Sequence, residues 1–230
     1  MSNHVLLNNV DHKDLKIITD RSAALGDNVM YSFTFPFEFR NIQAHYPIFF
    51  QADASGERYF PVAMLGLQHD ENLFLSAEGW DAGYIPIAIE RQPFLIGFDS
   101  AADDAQAVVH VDMDSPRVSE TEGQPLFLEH GGNAPYLTRV AEILDALHHG
   151  DQQNGPFVQA LKDHDLLESF TLDMELQDGS KNRLAGFFTI NEDKLAMLDG
   201  EALRGLHQEG HLQAIYMVLA SHSHMRDLIM

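Results

Sequence analysis

The chain has 230 residues, 45% of them apolar, enough to bury an ordinary core, and its 35 acidic against 14 basic residues leave a formal charge of -21 at pH 7. That field repels phosphate backbones and anionic lipid surfaces, so nucleic acid and membrane insertion are excluded from the expected partners and positively charged proteins or cationic ligands fit better; the expected partner is a small molecule or a protein, with a homodimer as a further expectation. The absence of cysteine excludes disulfides and thiol chemistry, while the polar start MSNHVLLNNVDHKDLK and the lack of any apolar run near the roughly 20 residues of a membrane helix lead to the expectation of a cytoplasmic protein.

Up to about Asp114 the apolar residues come in short runs rich in Val, Ile, Phe and Tyr, broken by Gly, Pro and Asp, the pattern of strands and turns. PVAMLGL (61–67) and NLFLS (72–76) flank the polar Gln68, His69, Asp70 and Glu71, which predicts a hairpin. In YIPIAIERQPF (84–94), Ile85, Ile87 and Ile89 alternate with Pro86, Ala88 and Glu90, which predicts a strand that ends at a bend over Arg91, Gln92 and Pro93. FLIGFD (94–99) is the next strand, and Ser100 to Gln106 reads as an acidic surface loop.

From Pro135 the spacing becomes helical. Leu137, Val140, Ile143, Leu144 and Leu147 share one face, Gly150 is expected to end the helix, and a second helix from Pro156 to about His164 carries Phe157, Val158 and Leu161. In the hairpin that follows, Phe170, Leu172, Met174 and Leu176 alternate with Thr171, Asp173, Glu175 and Gln177, Asp178-Gly179 is the turn, and Leu184 to Ile190 returns. Asn191 is expected to cap a short helix carrying Leu195 and Leu198. Leu203 and Leu206 lie on another, and Gly210 breaks before a final helix with Leu212, Ile215, Tyr216 and Leu219 on one side. The fold class is therefore α+β: one domain over 1–230, β-rich with mostly antiparallel strands over 1–118, and helical with one β-hairpin over 119–230.

The candidate site residues come from two segments. Arg91 and Phe94 fall beside the proline bend, where Arg91 either pairs with an acidic neighbour or contacts a small anion and Phe94 is either core or ligand contact. In VDMDSPRV (111–118), Asp112 and Asp114 share a face of any strand through them, Ser115-Pro116 starts a turn that Asp114 can hold, and Arg117 is within reach of either carboxylate. This is either a self-satisfied polar corner or a site for a hard cation or substrate. Trp80, the sole tryptophan, and Tyr84 are secondary candidates for stacking on a ligand.

No cofactor is expected. A divalent metal held by His110, Asp112 and Asp114 is the alternative, since H-x-D supplies two ligands of a two-histidine, one-carboxylate site. Gly210 separates His207 from His211, His222 and His224 point apart on a helix, and His148-His149 suits a helix C-terminus. No G-x-S-x-G elbow, dinucleotide fingerprint or phosphate loop occurs, so an enzyme has no sequence anchor.

The order and spacing of YPIFF (46–50), PVAMLGL, NLFL and GW (72–80), YIPIAIERQPF, VDMDSPRV, GQPLF (123–127) and GFFTINEDKLAML (186–198) resemble the bacterial SapC family from about Leu7 to Leu228. The histidine at position 110 departs from the family pattern, which argues against iron chemistry as the family activity. The resemblance implies an accessory role in handling small molecules or modified peptides, in association with flavin-dependent halogenases or outer-membrane receptors. The family label also carries an association with a paracrystalline surface layer.

Three functions follow as expectations. The first is a non-catalytic binding or accessory protein with a groove between the β-rich and helical halves, lined by the 80–94 and 112–117 segments. The second is a metal-dependent enzyme using Asp112, Asp114 and histidine. The third is a surface-layer or assembly component. For the first, alanine at Arg91 or Arg117 is expected to remove binding and leave the melting temperature within a few degrees.

Overall fold

Strand pairing in this chain is antiparallel throughout the described residues, which are 3–99, 106–175 and 181–229 of the computed structural model. The first half is β-rich and the helices gather in the second half, as the change of periodicity predicts. The chain divides into two compact units: Met1–Asn28 with Leu75–Asp81 and Ile87–His149, and Val29–Phe74 with Ala82–Pro86 and Gly150–Met230.

In the first unit, the strand Gln106–Asp112 is the centre of a three-stranded sheet, between His4–Leu6 and Phe94–Asp99. A smaller sheet pairs Lys16–Ile17 with Val118–Ser119 and Gln124–Pro125. Between them lies a core of Leu15, Ile17, Phe94, Val111 and Leu126, closed by Leu137, Val140 and Leu144 from the helix Pro135–Asp163. Each such side chain withdrawn from water contributes about 1.5–3 kcal/mol before the entropy of ordering it is subtracted.

The second unit is built on a five-stranded sheet in the order Leu167–Glu175, Lys181–Ile190, Ile48–Ala52, Tyr59–Met64, Tyr31–Phe33. Ile48, Phe49 and Phe50 are all fully buried, so this central strand is covered on both faces, as its unbroken apolar run requires. Phe49 packs with Val62, Met64, Leu184, Phe187 and Leu228. Phe50 meets Phe157 on the far side, at 6.2 Å between ring centroids. The hairpin forms with Phe170 and Leu172 against the core and Thr171 and Asp173 exposed; its expected Asp178-Gly179 turn lies outside the described residues, as do positions 100–105 of the expected acidic loop.

Several local expectations give way. IPIAIE is not a strand: Ile87–Glu90 forms one helical turn, closed by Arg91 N–H donating to the Ile87 carbonyl at 3.0 Å. A run this short fits either period, and here Pro86 precedes a turn that buries Ile87 and Ile89. PVAMLGL and NLFLS do not pair as a hairpin, because both edges of Tyr59–Met64 are already taken by Ile48–Ala52 and Tyr31–Phe33. Leu75–Ser76 pairs with Gly79–Trp80 instead, and the Glu71 carboxylate closes the connection by accepting from Leu67 and Gln68 N–H at 2.7 and 3.0 Å.

The two helices expected on either side of Gly150 are one, Pro135–Asp163. Gly150 does not stop it; the residue is buried, and an added Cβ would stand 2.8 Å from Phe35 Cγ. Close approach of a ring, rather than a left-handed terminus, explains the glycine. His148 and His149 therefore lie within the helix, not at its end, and His149 Nδ1 is 2.9 Å from the Asp145 carbonyl. Asn191 does cap Glu192–Ala196, accepting from Lys194 N–H at 2.8 Å, and Gly210, at φ 78°, separates Gly200–Gln208 from His211–Ser221. The final helix is rotated from the expected face: Ala214, Ile215, Val218 and Ser221 are buried, and Tyr216 is exposed. Ser221 is needed inside because its Oγ accepts the Ile48 N–H at 2.8 Å.

Candidate functional site

The central strand of the first unit ends at Asp112, and two bends meet there. On one side His4 stands opposite Asp112 in register. On the other, the helical turn Ile87–Glu90 leads through Arg91, Gln92 and the cis-bonded Pro93 into the strand at Phe94, and the Pro93 carbonyl accepts from Asp112 N–H at 3.1 Å. Beyond Asp112 the chain turns at once, with Ser115 N–H donating to the Asp112 carbonyl at 3.1 Å and Val118 N–H to that of Ser115 at 3.0 Å.

These bends enclose a concavity of about 360 Å³. Its polar walls come from His4, Arg91, Gln92, Asp112, Asp114 and Ser115. Leu25, Pro93, Leu95 and Pro116 supply apolar walls. Of the residues singled out in the sequence, Arg91, Asp112, Asp114 and Ser115 are thus brought together.

Arg91 is half-buried, and its Nη1 donates to the Phe94 carbonyl. Among the described residues no carboxylate stands within 4.0 Å of its guanidinium. Burial pushes its pKa below the ordinary arginine value, with no acidic neighbour opposing the shift, although a guanidinium stays protonated at any working pH. The pairing with an acidic neighbour that the sequence allowed does not form among the described residues.

Asp112 organises the turn. Its Oδ1 accepts from Asn3 N–H and Asp114 N–H, each at 3.2 Å, and its Oδ2 stands 3.9 Å from His4 Nε2. The expectation that Asp114 holds the turn is therefore reversed: Asp114 lies beyond the strand end, exposed, and its carboxylate makes no hydrogen bond or ion pair with a described residue. Ser115 Oγ accepts from Arg117 N–H at 3.3 Å.

Arg117 pairs with neither of those aspartates. It is 1% exposed, and its Nη2 donates to both oxygens of the buried Asp27 at 2.6 Å, while Nη1 donates to the Ile18 and Asp20 carbonyls at 3.0 and 2.8 Å. Arg21 Nη1 and Ser22 N–H also donate to the Asp27 carboxylate, at 3.2 and 2.9 Å. Burial lowers the Arg117 pKa and Asp27 opposes that shift. The arrangement is a buried tie between the turn and the Lys16–Ile17 strand.

Phe94 is fully buried in the core of the first unit. Trp80 is half-buried in the two-stranded ladder, opposite Leu75, and is not among the residues that line the concavity. Tyr84 belongs to the second unit, where its hydroxyl donates to the buried Glu38 at 2.9 Å and its carbonyl accepts from the Tyr46 hydroxyl. His110 packs its ring on Gly97 of the neighbouring strand, at a spacing that leaves no room for a Cβ there. Among the described residues no group of three or more histidine or acidic side chains is disposed to hold a metal ion.

His4, Leu25 and Asp27 escaped sequence reasoning. His4 and Asp27 reach their partners through sequence separations of roughly a hundred residues, for which no local spacing gives a signal. Gln92 and Pro93 were legible as a bend, though not as walls.

The sequence model of the SapC family matches residues 7–228. No curated protein and no solved structure matches the chain.

Proposed function

The chain belongs to the SapC family, and from that premise we propose that it is a non-catalytic binding protein that holds a small molecule in the concavity at the end of its central first-unit strand. One observation carries this reading: Arg91, a partly buried cation without an acidic partner among the described residues, lines a depression that also contains Asp112, Asp114 and Ser115. Burying charge unpaired is costly, and a ligand that engages the guanidinium removes that cost. About 360 Å³ is at the small end of ligand sites. An accessory role in small-molecule or peptide handling, as in halogenase or outer-membrane receptor systems, accords with the family resemblance. A cytoplasmic setting is part of the same proposal; among the described residues no helix is long and apolar enough to cross a membrane.

The test is a thermal-shift screen of amino acids, peptides, indoles and divalent metals against the wild type and Arg91→Ala. A compound that raises the melting temperature of the wild type and leaves that of the variant unmoved supports the proposal. Compounds that stabilise both proteins equally, or none that stabilises either, would sink it.

A further inference from the structure

We infer that the ligand of this concavity is a small apolar zwitterion, an α-amino acid with an aliphatic or aromatic side chain, its carboxylate on Arg91 and its ammonium group on Asp112 and Asp114. The inference rests on the binding role proposed above and narrows it to one chemical class. Three features of the walls lead to it.

The first is that both signs of charge line one depression without pairing with each other. Arg91 uses Nη1 on the Phe94 carbonyl, and the remaining guanidinium donors make no bond to a described residue. Asp114 has a carboxylate with no partner among the described residues, and Asp112 leaves Oδ2 with only a long contact to His4. A single charged group on a ligand would satisfy one side and leave the other as it is. An ammonium group and a carboxylate joined through one carbon answer both.

The second is the field of the whole chain. At a formal charge of -21 a simple anion approaches against repulsion, whereas a zwitterion carries no net charge to the site. A simple cation would be drawn in, but it would add like charge beside Arg91. The third is composition: Leu25, Pro93, Leu95 and Pro116 give the same depression apolar walls, which suit a hydrocarbon side chain.

Isothermal titration with leucine and phenylalanine, each beside its amide and its N-acetyl derivative, separates the two charges, because the amide keeps only the ammonium group and the N-acetyl form only the carboxylate. The free amino acid should bind at least about tenfold more tightly than either derivative, the size expected when one charge-assisted contact is lost. In Arg91→Gln the advantage over the amide should vanish, and in the Asp112→Asn/Asp114→Asn variant the advantage over the N-acetyl form should vanish. Circular dichroism melts verify that both variants are folded. A derivative that binds as well as the free amino acid overturns the zwitterion and leaves the binding role standing. So does silence from all six compounds when another compound in the screen shows Arg91-dependent stabilisation. Silence from every compound overturns both.

Discussion

Arg91 and Arg117, both candidate ligand contacts by sequence, have opposite physical situations. Arg117 is enclosed with Asp27, and removing its charge deprives the buried Asp27 carboxylate of its two-pronged partner. Arg117→Ala is therefore expected to lose about 3–5 kcal/mol in urea unfolding, and Arg117→Met/Asp27→Asn to recover part of that loss, since no full charge is then stranded. Arg91→Ala should stay within a few degrees of the wild-type melting temperature, as expected for both arginines from sequence and now retained for one. The difference was not legible: Ser115-Pro116-Arg117 announced a turn, but Asp27, the residue that decides the role of Arg117, is distant in the chain and belongs to no motif. His222 is a second residue whose surroundings set its chemistry. Its ring stacks on Phe49 at 4.9 Å, and its Nε2 donates to the Ile48 carbonyl at 3.0 Å. Burial lowers its pKa, against the smaller opposing effects of the Ile48 carbonyl and Glu192. The unfolded chain then binds a proton that the folded one resists, so this contribution to stability is full above about pH 6.5 and is lost as pH falls from there toward the lower folded value. His222→Phe, which keeps an aromatic ring on Phe49, should flatten the dependence of the unfolding free energy on pH between 7 and 5; an unchanged slope would mean that other groups carry it.

At the level of elements, the long helix is the clearest case of packing overruling a local signal. Glycine in a helix interior costs about 1 kcal/mol relative to alanine, so Gly150→Ala would stabilise an isolated helix. In the folded protein the new methyl would meet Phe37 Cε1 at 2.5 Å and Phe35 Cγ at 2.8 Å. Phe37 is 46% exposed and can yield, but Phe35, 8% exposed, cannot move without disturbing its surroundings. Overpacking of this kind costs about 1–3 kcal/mol, and Gly150→Ala should lower the urea midpoint. The same logic separates the elements that were legible from those that were not. The hairpin, the Asn191 cap and the Gly210 break rest on alternation, one side-chain oxygen and one left-handed residue, all local properties. The hairpin expected from PVAMLGL and NLFLS failed because strand pairing is a competition, and Ile48–Ala52 and Tyr31–Phe33 hold both edges. IPIAIE failed because its six residues fit alternation while the backbone closes a local turn.

For the molecule as a whole, charge is the dominant property. Acidic residues outnumber basic ones by 35 to 14, and a field of that sign opposes the counterion exchange on which nucleic-acid binding depends. The protein should give no mobility shift with a DNA duplex or single strand at physiological salt and should be held by an anion exchanger, from which rising salt releases it. A mobility shift that weakens with salt would contradict this picture. The two compact units each carry an apolar core built from their own residues, and the candidate site needs only the first of them: Arg91, Asp112, Asp114 and Ser115 all belong to it.

Composition and periodicity by themselves determined the α+β class, the antiparallel hairpin at Phe170 to Ile190, the short helix capped by Asn191 and the break at Gly210. These depend on neighbours within a few residues, where side-chain spacing and backbone preference act directly. Only the tertiary structure decided that Arg117 is buried on Asp27 while Arg91 is left facing a cavity, that His4 and Pro93 flank Asp112, and that one helix runs through Gly150. Each of those outcomes turns on which distant groups share a small volume away from water, and burial, not residue type, sets whether a charge there must find a partner in the fold.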